Sequence, residues 1–94
     1  MVIAACTLQL QLYGIHSLKD KRSVIKYIVK RLPRQFSVAI AEVEDQDVWT
    51  SSILGIVAVG NDSRHLHSMM EKAVAWVETN RPDVEIVDYS IEFR

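Results

Sequence analysis

One cysteine, three glycines and two prolines are all that the 94 residues contain of the usual cross-linkers and chain breakers. With Cys6 alone, no disulfide forms within the chain, which fits a reducing compartment. The glycines, at 14, 55 and 60, are scattered, so the glycine-rich loops that cradle phosphates are absent, and there is no Cys-x-x-Cys pair. No stretch approaches the roughly 18 apolar residues of a membrane-spanning helix. The N-terminal apolar run is interrupted by Gln9 and Gln11 and has no basic segment before it, so it reads as a strand and not as a signal peptide. The expected location is the cytoplasm, with no membrane partner.

Chemistry-bearing clusters are scarce as well. His65 and His67 are two apart, so on a helix they face different directions and make a poor metal pair. The acidic run from Glu42 through Glu44, Asp45 and Asp47 lacks the sharp-turn glycine of a calcium loop. It reads as a solvated hairpin or as salt partners for the first helix. Cys6 falls among leucines and reads as a buried, inert thiol. No catalytic residue, metal site or cofactor site is expected, and an enzyme is the class least expected.

What is present is a regular alternation of elements. Hydrophobic residues make up 49% and charged residues 24% of the chain, a globular composition that argues against long disorder. Residues 2–12 alternate with period two, Cys6, Leu8, Leu10 and Leu12 on one side and Thr7, Gln9 and Gln11 on the other, which predicts a half-buried strand. Ser17 and Asp20 have capping-box spacing at the start of a helix, and Leu18, Ile25, Ile28, Val29, Leu32 and Phe36 recur at helical spacing. Pro33 should stop that helix. Residues 37–44 read as a second strand. Residues 52–59 are apolar on both parities, which predicts a strand buried on both faces.

Asp62 is a plausible N-cap for a second helix over about 63–79, with Leu66, Met70, Ala73, Val74 and Val77 inward. Residues 84–93 form a last strand in which Val87, Tyr89, Ile91 and Phe93 share one face. The order β-α-β-β-α-β in one domain predicts a ferredoxin-like α+β sandwich, a four-stranded antiparallel sheet with two helices on one face. The other sheet face is then bare and apolar, lined by Ile53, Val57 and Val59 or by their neighbours of opposite parity. Such a patch usually marks an interaction surface, so a homo-oligomer packed through the open sheet is expected.

Charge is divided unevenly along the chain. Residues 17–36 hold seven of the eleven basic residues and a single acid, Asp20. Lys19, Ser23, Lys26, Lys30 and Arg34 fall on one outward stripe, so Lys19, Lys26, Lys30 and Arg34 are the candidate contacts to an external polyanion such as RNA. Lys21 and Arg22 lie nearer the apolar face. Cations near a helix N-terminus oppose its dipole, and Glu42 and Glu44 are the candidate carboxylates to answer Lys21 and Arg22, within the chain or across an interface. The aromatics on which RNA-recognition motifs stack bases are missing from the first and third strands. RNA would therefore be held by phosphate contacts, with little sequence preference. Trp49, at the hairpin between strands two and three, either pins that loop or docks into a partner; Trp76 reads as core edge.

The segments Ser17-Leu18-Lys19-Asp20-Lys21-Arg22, Ala41-Glu42-Val43, Gln46-Asp47-Val48-Trp49 and Gly60-Asn61-Asp62 resemble, in this order and spacing, the YlxP-like family of small bacterial proteins. The resemblance runs from about residue 3 to residue 93. It implies a ferredoxin-like fold and no established activity. Members tend to be encoded near translation and ribosome-maturation factors, which implies an RNA- or ribosome-associated role and a ribosomal particle as partner. Gly60 departs from the serine often found before Asn-Asp. The competing expectations are a homo-oligomeric interaction module without nucleic acid, and a small-molecule regulatory domain with a pocket at a subunit interface.

Overall fold

A computed structural model describes all residues, Met1–Arg94. Strand β1 spans Val2–Leu12, helix α1 Leu18–Gln35, β2 Ala39–Glu44, β3 Ser51–Gly60, α2 Ser63–Asn80 and β4 Val84–Phe93. The sheet order is β2-β3-β1-β4, with every neighbouring pair antiparallel. β1 and β2 therefore run parallel with β3 between them, and β3 and β4 run parallel with β1 between them. Each such pair is joined through a helix, the split βαβ arrangement repeated twice.

The period-two pattern of β1 decides which face is covered. Ala4, Cys6, Leu8, Leu10 and Leu12 are buried against the helices, with Leu54, Ile56 and Ala58 of β3 beside them. From α1 come Val24, Ile25, Ile28 and Leu32, and from α2 come Leu66, Met70, Ala73, Val74 and Val77. The five inward positions expected for α2 are the five that are buried. Each fully buried leucine or isoleucine contributes about 1.5–3 kcal/mol, so this single core of 18 residues carries the fold.

Three sequence expectations are corrected. Helix α1 does not stop at Pro33 but continues to Gln35, with the Phe36 N–H donating to the Leu32 carbonyl at 3.1 Å. Pro33 removes one hydrogen bond in the last turn, and the fully buried Leu32 holds that turn on the sheet despite the loss. β3 is buried on one face only: Val57 and Val59 are 46% and 63% exposed. Its second apolar parity lies on the open face of the sheet.

Val87 is also displaced from its expected company. The register of β4 on β1 shifts between Gln9 and Leu10, so Ile86 pairs with Leu10 and Asp88 with Gln9. Val87 is the extra residue of this bulge, and it is 53% exposed. Inward positions are therefore Val84 and Ile86 before the bulge and Tyr89 and Ile91 after it, because the extra residue flips the parity.

The open face has an apolar and a polar end. One depression of about 400 Å³ is lined by Ile3, Ala39, Val57 and Val59 with Val38. Another, of about 290 Å³, is lined by Thr7, Gln9, Glu44, Ile53, Asp88 and Ser90. No helix is long and apolar enough to cross a membrane.

Candidate nucleic-acid interface on the first helix

Helix α1 begins where the sequence marks it. Ser17 is the N-cap, in extended backbone, and its Oγ accepts the Asp20 N–H at 3.1 Å. Asp20 Oδ2 reaches back to accept the His16 N–H at 3.1 Å. The capping box thus closes one residue earlier than its usual form, in which the reciprocal bond goes to the cap itself. Gly14, at φ +71°, turns the chain from β1 toward this cap.

The inner face of α1 contains a cation. Lys21 occupies the core-facing row continued by Ile25, Ile28 and Leu32, and it is fully buried. Taking an ammonium out of water costs several kcal/mol unless partners answer it. Lys21 Nζ lies 3.0 Å from Glu42 Oε2, and it donates to the Asp45 backbone carbonyl. Ser52 Oγ, on a fully buried residue of β3, donates to the same Glu42 oxygen at 2.6 Å. No buried side-chain nitrogen or oxygen is left without a partner.

Asp45 makes this arrangement possible. Its φ is +64°, a left-handed conformation that aspartate tolerates better than most residues. In it the carbonyl accepts the Val48 N–H at 3.1 Å as well as the Lys21 ammonium, and the side chain accepts from Ser51 Oγ at 3.1 Å. Lys21 therefore ties the β2–β3 connection to the first turn of α1. Arg22 is exposed and Glu44 is exposed, and neither forms an ion pair within the chain.

The outer face is the opposite case. Lys19, Arg22, Lys26, Lys30, Arg31 and Arg34 are all exposed. The four ion pairs of the molecule are Lys21–Glu42, His67–Glu71, Arg81–Asp83 and Arg94–Glu92, so none of these six cations has a carboxylate partner. Lys19, Lys26, Lys30 and Arg34 follow one row about 22 Å long at 1.5 Å per residue. The acidic surplus lies elsewhere, on β2, on the β2–β3 connection and on β4.

A side-chain cluster that sequence reasoning missed borders this row where α1 meets α2. Tyr27 and Trp76 stack with ring centroids 6.4 Å apart and planes 19° apart. The Arg31 guanidinium lies 4.7 Å and the Arg81 guanidinium 5.0 Å from the Tyr27 ring centre. Arg81 is fixed by a two-pronged bond to Asp83, at 3.0 and 2.6 Å. The Tyr27–Arg31 spacing of four was visible in the sequence; the pairing across two helices was not.

Other candidates from the sequence are dispersed. No three His, Cys, Asp or Glu side chains come together as a metal-holding group. His67 pairs with Glu71 and stacks near Phe93, with centroids 6.4 Å apart. Cys6 is buried, and burial, with a smaller contribution from Glu71, raises its thiol from 9.0 to about 11. Trp49 is 48% exposed on the β2–β3 connection.

The fold and this helix define a ferredoxin-like α+β domain with one strongly basic helix. By family, the chain belongs to the group described as Protein of unknown function (DUF503), whose model matches residues 3–91. It is 32% identical over 74 residues to the uncharacterized protein YlxP of Bacillus subtilis strain 168, covering 79% of each chain. Among solved structures it is similar to a de novo designed protein with ferredoxin fold, at TM-score 0.59 and 10% identity, covering all of this chain and 84% of that one. It is also similar to a candidate chlorite dismutase, at TM-score 0.56 and 17% identity. There it covers 99% of its own length but 44% of the other chain, and the likeness is one of fold.

Proposed function

We propose that this protein is a non-enzymatic accessory module that binds RNA, in the setting of the ribosome or its maturation, through the outer row of α1. The observation that carries this reading is the set of six exposed cations on one 18-residue helix, none with a carboxylate partner, while the one inward cation, Lys21, is fully paired. Each of these charges is solvated at little cost, but six of one sign on one helix set up a positive field around it. A polyanion is drawn to that field and releases its counterions on binding. Four to six contacts on a single strand give a log–log salt slope of about −3 to −4. Fluorescence anisotropy with a labelled single-stranded RNA between 50 and 200 mM salt measures it. A flat salt response, or unchanged binding by Lys26→Glu/Lys30→Glu, would overturn the reading.

A second proposal concerns the opposite layer. The apolar end of the open sheet, around Ile3, Ala39, Val57 and Val59, is the surface through which a second copy packs. Because the helices cover the other face, such a dimer leaves both basic rows free. Light scattering at micromolar concentration checks it: twice the chain mass is expected, reduced to one by Val57→Lys/Val59→Lys. A single-chain mass for the unaltered protein counts against it.

A further inference from the structure

We infer that the Tyr27–Trp76 pair, with Arg31 and Arg81, is a base-stacking shelf that receives an unpaired nucleobase of the RNA whose phosphates follow Lys30 and Arg34. This rests on the RNA reading above and adds to it a site for the base, on the helix layer and not on the sheet. Three observations lead to it. First, the cluster borders the unpaired row: Lys30 and Arg31 lie one turn from Tyr27 and Arg34 two turns, so aromatic and phosphate-binding groups share one surface. Second, both rings are only partly buried, and the Arg31 and Arg81 guanidinium groups lie over the Tyr27 ring, 4.7 and 5.0 Å from its centre, so that Tyr27 backs the two arginine planes and a base settles on those planes or on Trp76. Aromatic faces and arginine planes are the groups on which unstacked bases settle. Third, the shelf is preformed. Arg81 is held by Asp83 through two bonds, so its plane is already oriented before any ligand arrives.

The ligand class follows from this arrangement. A flat, uncharged ring with a phosphate one helical turn away fits a single-stranded nucleotide. A duplex, whose bases are stacked inside, leaves the shelf unused. The sheet face used by aromatic-bearing RNA modules carries Thr7 and Gln9 here, so the stacking role moves to the seam between the helices.

The test uses the full chain carrying Trp49→Phe, so that Trp76 is the only tryptophan emitting, with a single-stranded RNA decamer, an RNA duplex and heparin as probes. Quenching of Trp76 by the single strand and not by heparin, together with an affinity loss of about fivefold or more in Tyr27→Leu at an unchanged salt slope, is the expected result. Tyr27→Leu keeps apolar packing at the seam, and circular dichroism confirms its fold. Binding of the single strand without Trp76 quenching, and with Tyr27→Leu at full affinity, overturns the shelf and leaves the phosphate row standing. Equal quenching by heparin also overturns it, because a polyanion without bases would then suffice. Failure of both RNA and heparin to bind overturns the shelf together with the reading on which it rests.

Discussion

The two faces of α1 treat positive charge in opposite ways. On the inner face, Lys21 is fully buried and answered by Glu42 and by the Asp45 carbonyl. On the outer face six cations have no carboxylate partner in the chain. Their chemistry is nearly the same, and four of the seven are lysines. What differs is which row of the helix each occupies, because a shift of one position moves a side chain about 100° around the axis. Inward, a charge without a partner costs several kcal/mol, so one is supplied. Outward, water solvates the charge, and leaving it unpaired costs little. The unpaired row is therefore free to serve an external anion, whereas the inner lysine belongs to the architecture.

The contrast is broken most severely at Lys21. Lys21→Ala leaves Glu42 without its cation, frees the Asp45 carbonyl and opens a void beside Ile25. We expect a loss of about 3–5 kcal/mol, seen as a fall of 12 °C or more in thermal unfolding, taking roughly 4–8 °C per kcal/mol for a domain of this size. Lys21→Met/Glu42→Leu removes both charges and fills the volume, and it should recover most of the loss. If Lys21→Ala melts within 3 °C of the unaltered protein, the buried pair is not what ties the β2–β3 connection to α1.

A second effect of burial shows in alkali. The Cys6 thiol is raised from 9.0 to about 11, first by burial and then by Glu71. A folded pKa above the unfolded one means that the neutral thiol stabilises the fold fully below pH 9. That contribution is lost as pH rises from 9 to 11. It amounts to about 2–3 kcal/mol. Tyr13 and Tyr89, held above their ordinary value by donating to Glu85 and Glu71, add alkaline losses in the same direction. Urea unfolding at pH 8, 9, 10 and 11 should show a steeper decline for the unaltered protein than for Cys6→Ala. Parallel declines would mean that Cys6 contributes nothing to the pH dependence.

Most of the architecture was legible because it rests on local periodicity. The parity of β1 located the covered face, and the 3.6-residue rhythm of α2 located five core positions. What was not legible depends on pairings remote in sequence. The bulge at Val87 appears only when β4 is registered on β1, and it reverses the parity that the isolated strand suggests. The continuation of α1 through Pro33 depends on Leu32 reaching the sheet. Lys21 could be placed near the apolar face from its spacing, and Glu42 toward the helices from its parity with Ile40. The left-handed Asp45 that completes their cage carried no local signal. The Tyr27–Trp76 stack joins residues 49 positions apart and had no signature in either helix alone.

The smallest expected change sharpens the comparison most. Lys19, exposed in the first turn of α1, sits against the positive end of the helix dipole and near Arg22. Lys19→Glu removes one such opposition and adds a favourable carboxylate, so it should stabilise the fold by about 0.3–1 kcal/mol at low salt, and less at high salt. The same substitution should weaken RNA binding, because it removes one phosphate contact and places a negative charge in the row. The salt slope should become shallower by about 0.7 for a single strand. Opposite signs of change in stability and in binding distinguish a residue kept for an external ligand from one kept for the fold. Lys21, altered in the same way, should lose stability instead. If Lys19→Glu is both more stable and equally tight on RNA, the outer row is solvated charge and nothing more.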